Sequence, residues 1–156
     1  MNDKIRIYLD TCVYCRPFDD QSQNRILRET DAFIRVLELA EAEKVVIVGS
    51  DVLTGEIDAV MDPPRSIEVR GLLNICKIYV EISEEIIKLA REIEEKCDLT
   101  GADALHITSS AAEARYFVTC DDFILSRGNC IARFMEEKGY KLKVLSITEF
   151  IEEEEW

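Results

Sequence analysis

The chain has 156 residues, 47% of them hydrophobic, with 32 acidic against 19 basic side chains and a formal charge of −13. That length suits one well-packed domain and is short for two, and the hydrophobic share argues against disorder. No apolar run approaches the ~20 residues of a membrane helix, no signal-peptide pattern follows Met1, and so large a negative charge argues against a stoichiometric nucleic-acid coat.

The expectation is a soluble cytoplasmic protein without membrane contact, formed as one domain over residues 1–156, with the acidic tail 152–156 frayed. Six cysteines stand at 12, 15, 76, 97, 120 and 130. Several lie in apolar segments and no export signal accompanies them, so reduced, buried thiols are expected.

In chain order, Lys4 to Leu9 reads as a short strand that stops at Asp10, followed by a polar, turn-rich stretch around Arg16 to Asp20. From about Ser22 to Glu43 the spacing of Ile26, Phe33, Ile34, Leu37 and Ala40 predicts a helix. Val45 to Val48 is a continuous β-branched run, as in a strand buried on both faces of a parallel sheet. Ser50 is a candidate N-cap for a helix carrying Val52, Leu53, Glu56 and Ile57. Pro63 and Pro64 end that helix, and Pro64 opens the next, to about Leu73.

Cys76 to Ile82 predicts a third strand. Ser83 caps an amphipathic helix to about Cys97, and Thr100 to Asp103 starts another, rich in small residues, to about Ala114. Tyr116 to Thr119 is a fourth strand ending at Asp121 and Asp122. A helix from Cys130 to Lys138, a strand from Leu142 to Leu145, and a last helix capped by Ser146 to Glu149 complete the chain. Alternating strands and helices predict a three-layer α/β/α sandwich on a parallel sheet of four or five strands.

With so many acids, position carries the information. Asp10 and Asp121 lie at the carboxyl ends of the first and fourth strands, where open α/β sheets form their crevices. Glu56, one to two turns into the helix after the second strand, and Asp103, in the first turn of a late helix, can reach the same edge. Clustered carboxylates repel one another unless a cation neutralises them. Mg²⁺ or Mn²⁺ suits such hard oxygen donors, and the ion can activate water for phosphodiester cleavage. Singly, each acid has a structural role open to it: Asp103 in a capping box, Asp121 and Asp122 at a turn, Glu56 on a solvated helix face. Together at one sheet edge they point to a site.

Tyr8-Leu9-Asp10-Thr11, Ala102-Asp103-Ala104-Leu105-His106-Ile107 and Val118-Thr119-Cys120-Asp121 resemble, in order and over almost the whole chain, the motifs of PIN domains. Many PIN domains are VapC-type toxins of toxin–antitoxin pairs, and others are unpaired ribonucleases. The resemblance implies a PIN-like fold and a metal-dependent endoribonuclease with Asp10, Glu56, Asp103 and Asp121 as its acidic metal site. Asp122 is an alternative to Asp121 as ligand, and Thr11 and Thr119 would orient carboxylates or water. Cys12 stands where family members often have Asn or Ser. The resemblance also implies an RNA substrate, an antitoxin partner where the chain is a toxin, and the homodimers common in the family. Its alternative is a degenerate PIN-like domain that binds RNA or protein without catalysis.

Other readings fit the residues less well. Cys12-Val13-Tyr14-Cys15 after a first strand is where a thioredoxin-like pair would sit, but the spacer is unusual and the acids go unexplained. Zinc would want a second close Cys or His pair. An aspartyl-phosphate phosphatase needs an acid at position 12, and a receiver domain needs a Lys after a late strand. His106, the one histidine, is expected to pack against the sheet, with an orienting donor at the pocket's edge as its other role. For an RNA substrate, Arg16, Arg25 and Arg28, with Arg35 on the same helix face, are the candidate phosphate contacts.

Overall fold

The computed structural model describes residues 4–153. Five strands, β1 (Ile5–Leu9), β2 (Val45–Ser50), β3 (Ile78–Val80), β4 (Tyr116–Thr119) and β5 (Lys143–Ser146), form one sheet in the order β3-β2-β1-β4-β5. Every pairing is parallel, with Tyr8 opposite Val48 in β2 and Phe117 in β4. The helices are α1 (Thr11–Cys15), α2 (Asn24–Glu41), α3 (Asp51–Val60), α4 (Pro63–Leu72), α5 (Glu84–Cys97), α6 (Gly101–Glu113), α7 (Asp122–Ser126), α8 (Gly128–Glu137) and α9 (Ile147–Glu153). The three-layer α/β sandwich is thus present, with five strands.

Alternation along the strands divides the core in two, because successive side chains leave opposite faces of a sheet. Ile7, Leu9, Ile47, Val118 and Leu145 pack with Val13, Phe33, Val36, Leu53, Val69 and Phe150 from α1 to α4 and α9. Tyr8, Val48, Val80 and Phe117 point the other way, onto Ile86, Ala90, Ile93, Ala104, Ile107, Ile131 and Met135 of α5, α6 and α8. Helix α6 buries Ala104, His106, Ile107, Thr108, Ser109, Ser110 and Ala111. Small residues there let the helix lie close to its neighbours, and Thr108 and Ser110 return their hydroxyls to their own helix's carbonyls.

The caps follow the sequence. Ser50, Ser83 and Thr100 each accept the N–H three residues on, from Leu53, Ile86 and Asp103. Ser146 and Glu149 form a reciprocal box, Glu149 N–H to Ser146 Oγ and Ser146 N–H to Glu149 Oε1. Helix α5 ends with Asp98 in the left-handed conformation, φ 55°, and α8 ends before Gly139 at φ 91°.

Three features depart from the expected reading. The stretch after Asp10 begins with α1 rather than a loop, and α7 follows Asp121 where a turn was open. Most plainly, Cys97 and Cys130 are joined in a disulfide, so the expectation of six reduced thiols fails for this pair; Cys12, Cys15, Cys76 and Cys120 are free. Their separation of 33 residues hid the pairing, which exists because α5 and α8 pack side by side and bring the two Cα atoms to 5.8 Å. Among the described residues no helix is long and apolar enough to cross a membrane. Of the tail expected to fray, residues 152 and 153 complete α9, and 154–156 lie outside the described residues.

Candidate active site

The chain leaves β1 for β2 and β3 on one side and reaches β4 and β5 on the other, so the carboxyl ends of β1 and β4 flank the point where strand order reverses. Such switch points open a crevice between the loops. Asp10 sits there. Its own N–H extends the ladder to Val118 O at 2.9 Å, and its side chain caps α1 by accepting Thr11 N–H at 2.8 Å. The other oxygen accepts the Thr119 hydroxyl at 2.8 Å. Thr119 Oγ1 in turn accepts the N–H of Asp121 at 3.0 Å, so one hydroxyl ties the acid after β1 to the acid after β4.

Asp10 is only 6% exposed, and burial raises its pKa against the opposing pull of His106, Thr119 and Thr11; the Glu56 charge raises it further. Asp103 is also raised, first by burial and then by the charges of Asp10 and Asp121, against its bond with Thr100. These acids therefore sense one another across a shared space. Asp121 caps α7 through Oδ1 alone, from Phe123 N–H at 2.8 Å and Ile124 N–H at 3.2 Å. Asp122 turns away. It meets Arg25 with both oxygens, at 2.7 and 2.9 Å, and the guanidinium lowers its pKa. Of the two neighbouring acids, Asp121 is the one whose charge reaches Asp103.

Glu56 enters from α3 and is held by His106 Nε2 at 2.9 Å. His106 Nδ1 lies 2.7 Å from the Tyr8 hydroxyl, which lies 2.7 Å from Ser50 Oγ. Burial works to lower the His106 pKa, but the bond to Glu56 and the charges of Asp10, Glu56 and Asp103 outweigh it and the net shift is upward. That same bond lowers Glu56. With the ring doubly protonated each donor has one acceptor: Nε2–H to Glu56, Nδ1–H to Tyr8, and the Tyr8 O–H to Ser50. His106 thus packs against the sheet and also orients an acid. In the sequence Ser50 was read as an N-cap and Tyr8 within the first motif, and neither was given a role at the site. The signal was a tyrosine in an otherwise aliphatic strand end, whose buried hydroxyl must find a partner.

Cys12 lies beside Asp10, its thiol 3.6 Å from Asp10 Oδ2 and 3.5 Å from Thr119 Oγ1, and it accepts the Cys120 N–H at 3.2 Å. Contact with Cys120, burial and the Asp10 charge all push its pKa well up, so it stays a neutral thiol beside the carboxylate. Cys12 and Cys15 do not pair, and the raised pKa of Cys12 opposes thiol-redox chemistry.

Of the candidate arginines, Arg16, Arg25 and Arg35 are drawn into ion pairs. Arg16 binds Glu29 at 2.9 Å and Asp19 at 2.8 Å, and Asp19 also binds Arg65. Arg25 adds Cys120 O and Glu29 to its Asp122 pair, which sets it beside the Asp121 end of the site. Arg28 makes no ion pair among the described residues and neighbours Arg25 and Asp122.

For a divalent ion, the donor chemistry fits: Asp10, Glu56, Asp103 and Asp121 are hard oxygen donors, two of them strained by burial and mutual repulsion. The Thr11 hydroxyl is buried beside them with no hydrogen bond of normal geometry, though it lies near enough to stabilise the Glu56 charge. Among the described residues no three His, Cys, Asp or Glu side chains are drawn into a ready cage.

No family model and no curated protein sequence matches the chain. Solved structures do. FitAB bound to an IR36 DNA fragment aligns at 15% identity over 91% of this chain and 95% of its own, with a TM-score of 0.56. VapBC2 from Rickettsia felis, bound to a DNA fragment from its promoter, aligns at 16% identity over 90% and 98%, with a TM-score of 0.55. FitAcB from Neisseria gonorrhoeae aligns at 15% identity over 90% and 97%, with a TM-score of 0.54. At these identities the likeness defines the fold class, and that class is the PIN-like one implied by the motifs.

Proposed function

We propose that the chain is a divalent-metal-dependent endoribonuclease, with Asp10, Glu56, Asp103 and Asp121 holding Mg²⁺ or Mn²⁺. The observation that supports this reading is that the acids stand near enough at the switch point of a PIN-like sheet for Asp10 to feel the Glu56 charge and Asp103 the charges of Asp10 and Asp121, without any three forming a ready cage among the described residues. The ion would supply an activated water and charge stabilisation at the leaving oxygen. The chain's own groups do the rest. Thr119 and Cys12 fix the Asp10 carboxylate, His106 aims Glu56, and the Thr11 hydroxyl is available to a water or a phosphate oxygen. Arg28, which makes no ion pair among the described residues, would meet an RNA phosphate, whereas Arg25 is engaged by Asp122 and Glu29 and Arg16 by Glu29 and Asp19.

The likeness to VapBC2 supports a toxin role with an antitoxin as partner, in keeping with the resemblance of the motifs. The test is cleavage of a mixed-sequence single-stranded RNA in Mn²⁺ or Mg²⁺ by wild type and Asp10→Asn. Asn keeps the cap on Thr11, so the variant should fold. Metal-dependent cutting by wild type and its loss in the variant by about 100-fold or more are expected. A folded wild type that neither binds Mn²⁺ nor cuts would overturn the reading.

A further inference from the structure

The edge of the sheet opposite the acids carries a row of cations, with Glu113 and Glu136 the acids among its groove linings. Each of the five strands starts from a basic residue: Lys4 precedes β1, Lys44 β2, Lys77 β3 and Arg115 β4, and Lys143 opens β5. Arg6 and Lys141 add to the row. Neighbouring strands lie ~4.8 Å apart, so the row runs for roughly 19 Å across the sheet. Beneath it lies a groove of about 780 Å³ whose floor is Ile5, Val46, Ile78 and Ala114. Arg115 and Lys141 also line a second groove of about 430 Å³, which includes Tyr140, so the two are continuous. On a chain of charge −13 this concentration is not a sample of the average surface.

Some of these cations are spoken for. Arg6 pairs with Glu113, Lys4 with Glu43 at 3.9 Å, and Lys143 with Glu153. Lys77, Arg115 and Lys141 make no ion pair among the described residues, and all three are exposed. Helix C-termini at this edge favour cations in general. These three, however, donate no side-chain hydrogen bond to a helix carbonyl among the described residues; they line the groove.

We propose that this edge is a second RNA-binding surface, on which the backbone of a single-stranded RNA lies across the strand starts while another part of the molecule reaches the acids. The inference rests on RNA as the substrate, as proposed above. A row of cations matches a flexible polyanion, Tyr140 in the adjoining groove offers a ring for a base, and the row answers how so acidic a protein attracts one. Strand β1 links the two edges. Its five residues span about 17 Å, so only an RNA longer than a few nucleotides can engage both.

The test is binding of a fluorescent mixed-sequence 20-mer RNA in EDTA, where metal-dependent cutting is silent, as a function of salt. Wild type is compared with the Lys77→Glu, Arg115→Glu, Lys141→Glu triple variant, and thermal unfolding checks that the variant folds. Roughly tenfold or greater loss of affinity is expected, with the log–log salt slope smaller by about 2, the share of three phosphate contacts. Unchanged affinity and slope in a folded variant would overturn the proposal. So would a variant that keeps RNA binding but loses a poly-glutamate probe, since that assigns the groove to an acidic protein segment. Restoring Mn²⁺ separates this from the nuclease reading. RNA held at this edge but never cut sinks catalysis alone, and cutting with affinity indifferent to the edge sinks the edge alone.

Discussion

His106 is the residue on which the acid pocket's geometry turns most visibly, because it joins a buried tyrosine to a half-exposed catalytic candidate. Replacing it with Ala leaves Tyr8 without a partner on one side and Glu56 free to swing. The expected cost is about 2 kcal/mol in urea unfolding, the scale of a hydrogen bond to a charged group. His106→Gln, which can still donate to Glu56, should recover part of both stability and metal affinity. Equal damage by the two substitutions would mean that only packing matters. At this scale the sequence was legible where a motif surrounded the residue. Asp10, Asp103 and Asp121 stand within short patterns tied to strand and helix ends. Glu56 and its holder could not be linked by reading, because 50 residues and a helix–sheet packing event separate them. The choice between Asp121 and Asp122 also waited on structure, since only the fold shows Arg25 reaching across 97 residues to take the second acid.

Among the elements, α6 matters most to the site, because its first turn carries Asp103 and its second carries His106. Thr100→Ala removes its cap and should cost about 1 kcal/mol, with a fall in cleavage as Asp103 loses its fixed start. Ser83→Ala removes the equivalent cap from α5 at a similar cost. It should leave cleavage near wild type, since α5 carries none of the acids. Activity assays on the pair, matched for folded fraction, read the difference. Helix α5 is also tied to α8 by the Cys97–Cys130 bridge. Reduction, or Cys130→Ser, should lower unfolding stability by about 3.7 kcal/mol, from the loop of 33 residues it closes in the unfolded chain. Strands and long helices were readable because β-branched runs and 3.6-residue periodicity are local signals. The short helices α1 and α7 were not, because each depends on an aspartate cap whose partner N–H groups are chosen by the turn itself.

For the whole molecule, pH should act through the same groups. His106 lies above its ordinary 6.5, so its contribution to stability is complete below pH 6.5 and fades as pH rises through the folded value. Glu56 lies below its ordinary 4.5, so its contribution is present above pH 4.5 and is lost as pH falls through the folded value. Asp10 and Asp103 lie above 3.8, so their ionisation costs stability as pH rises. Metal-free protein should therefore be more stable near pH 5.5 than near pH 8 in urea unfolding. Mn²⁺ at about 100 times its dissociation constant should add about 2.7 kcal/mol at pH 8, and nothing to Asp10→Asn.

The strand order has one more consequence, and it concerns time rather than space. Strand β1 is made before the other four strands but lies at the centre of the sheet, and Asp10 is fixed by Thr119, 109 residues later. Pairing across so long a separation is slow and cannot begin until β4 has been made. A nascent chain therefore carries its first acid for most of its synthesis without the hydroxyl that holds it or the acids that complete it. If the folded protein cuts RNA, the blade cannot be assembled before β4 has been made, and until then the message being read is spared by the topology of the sheet.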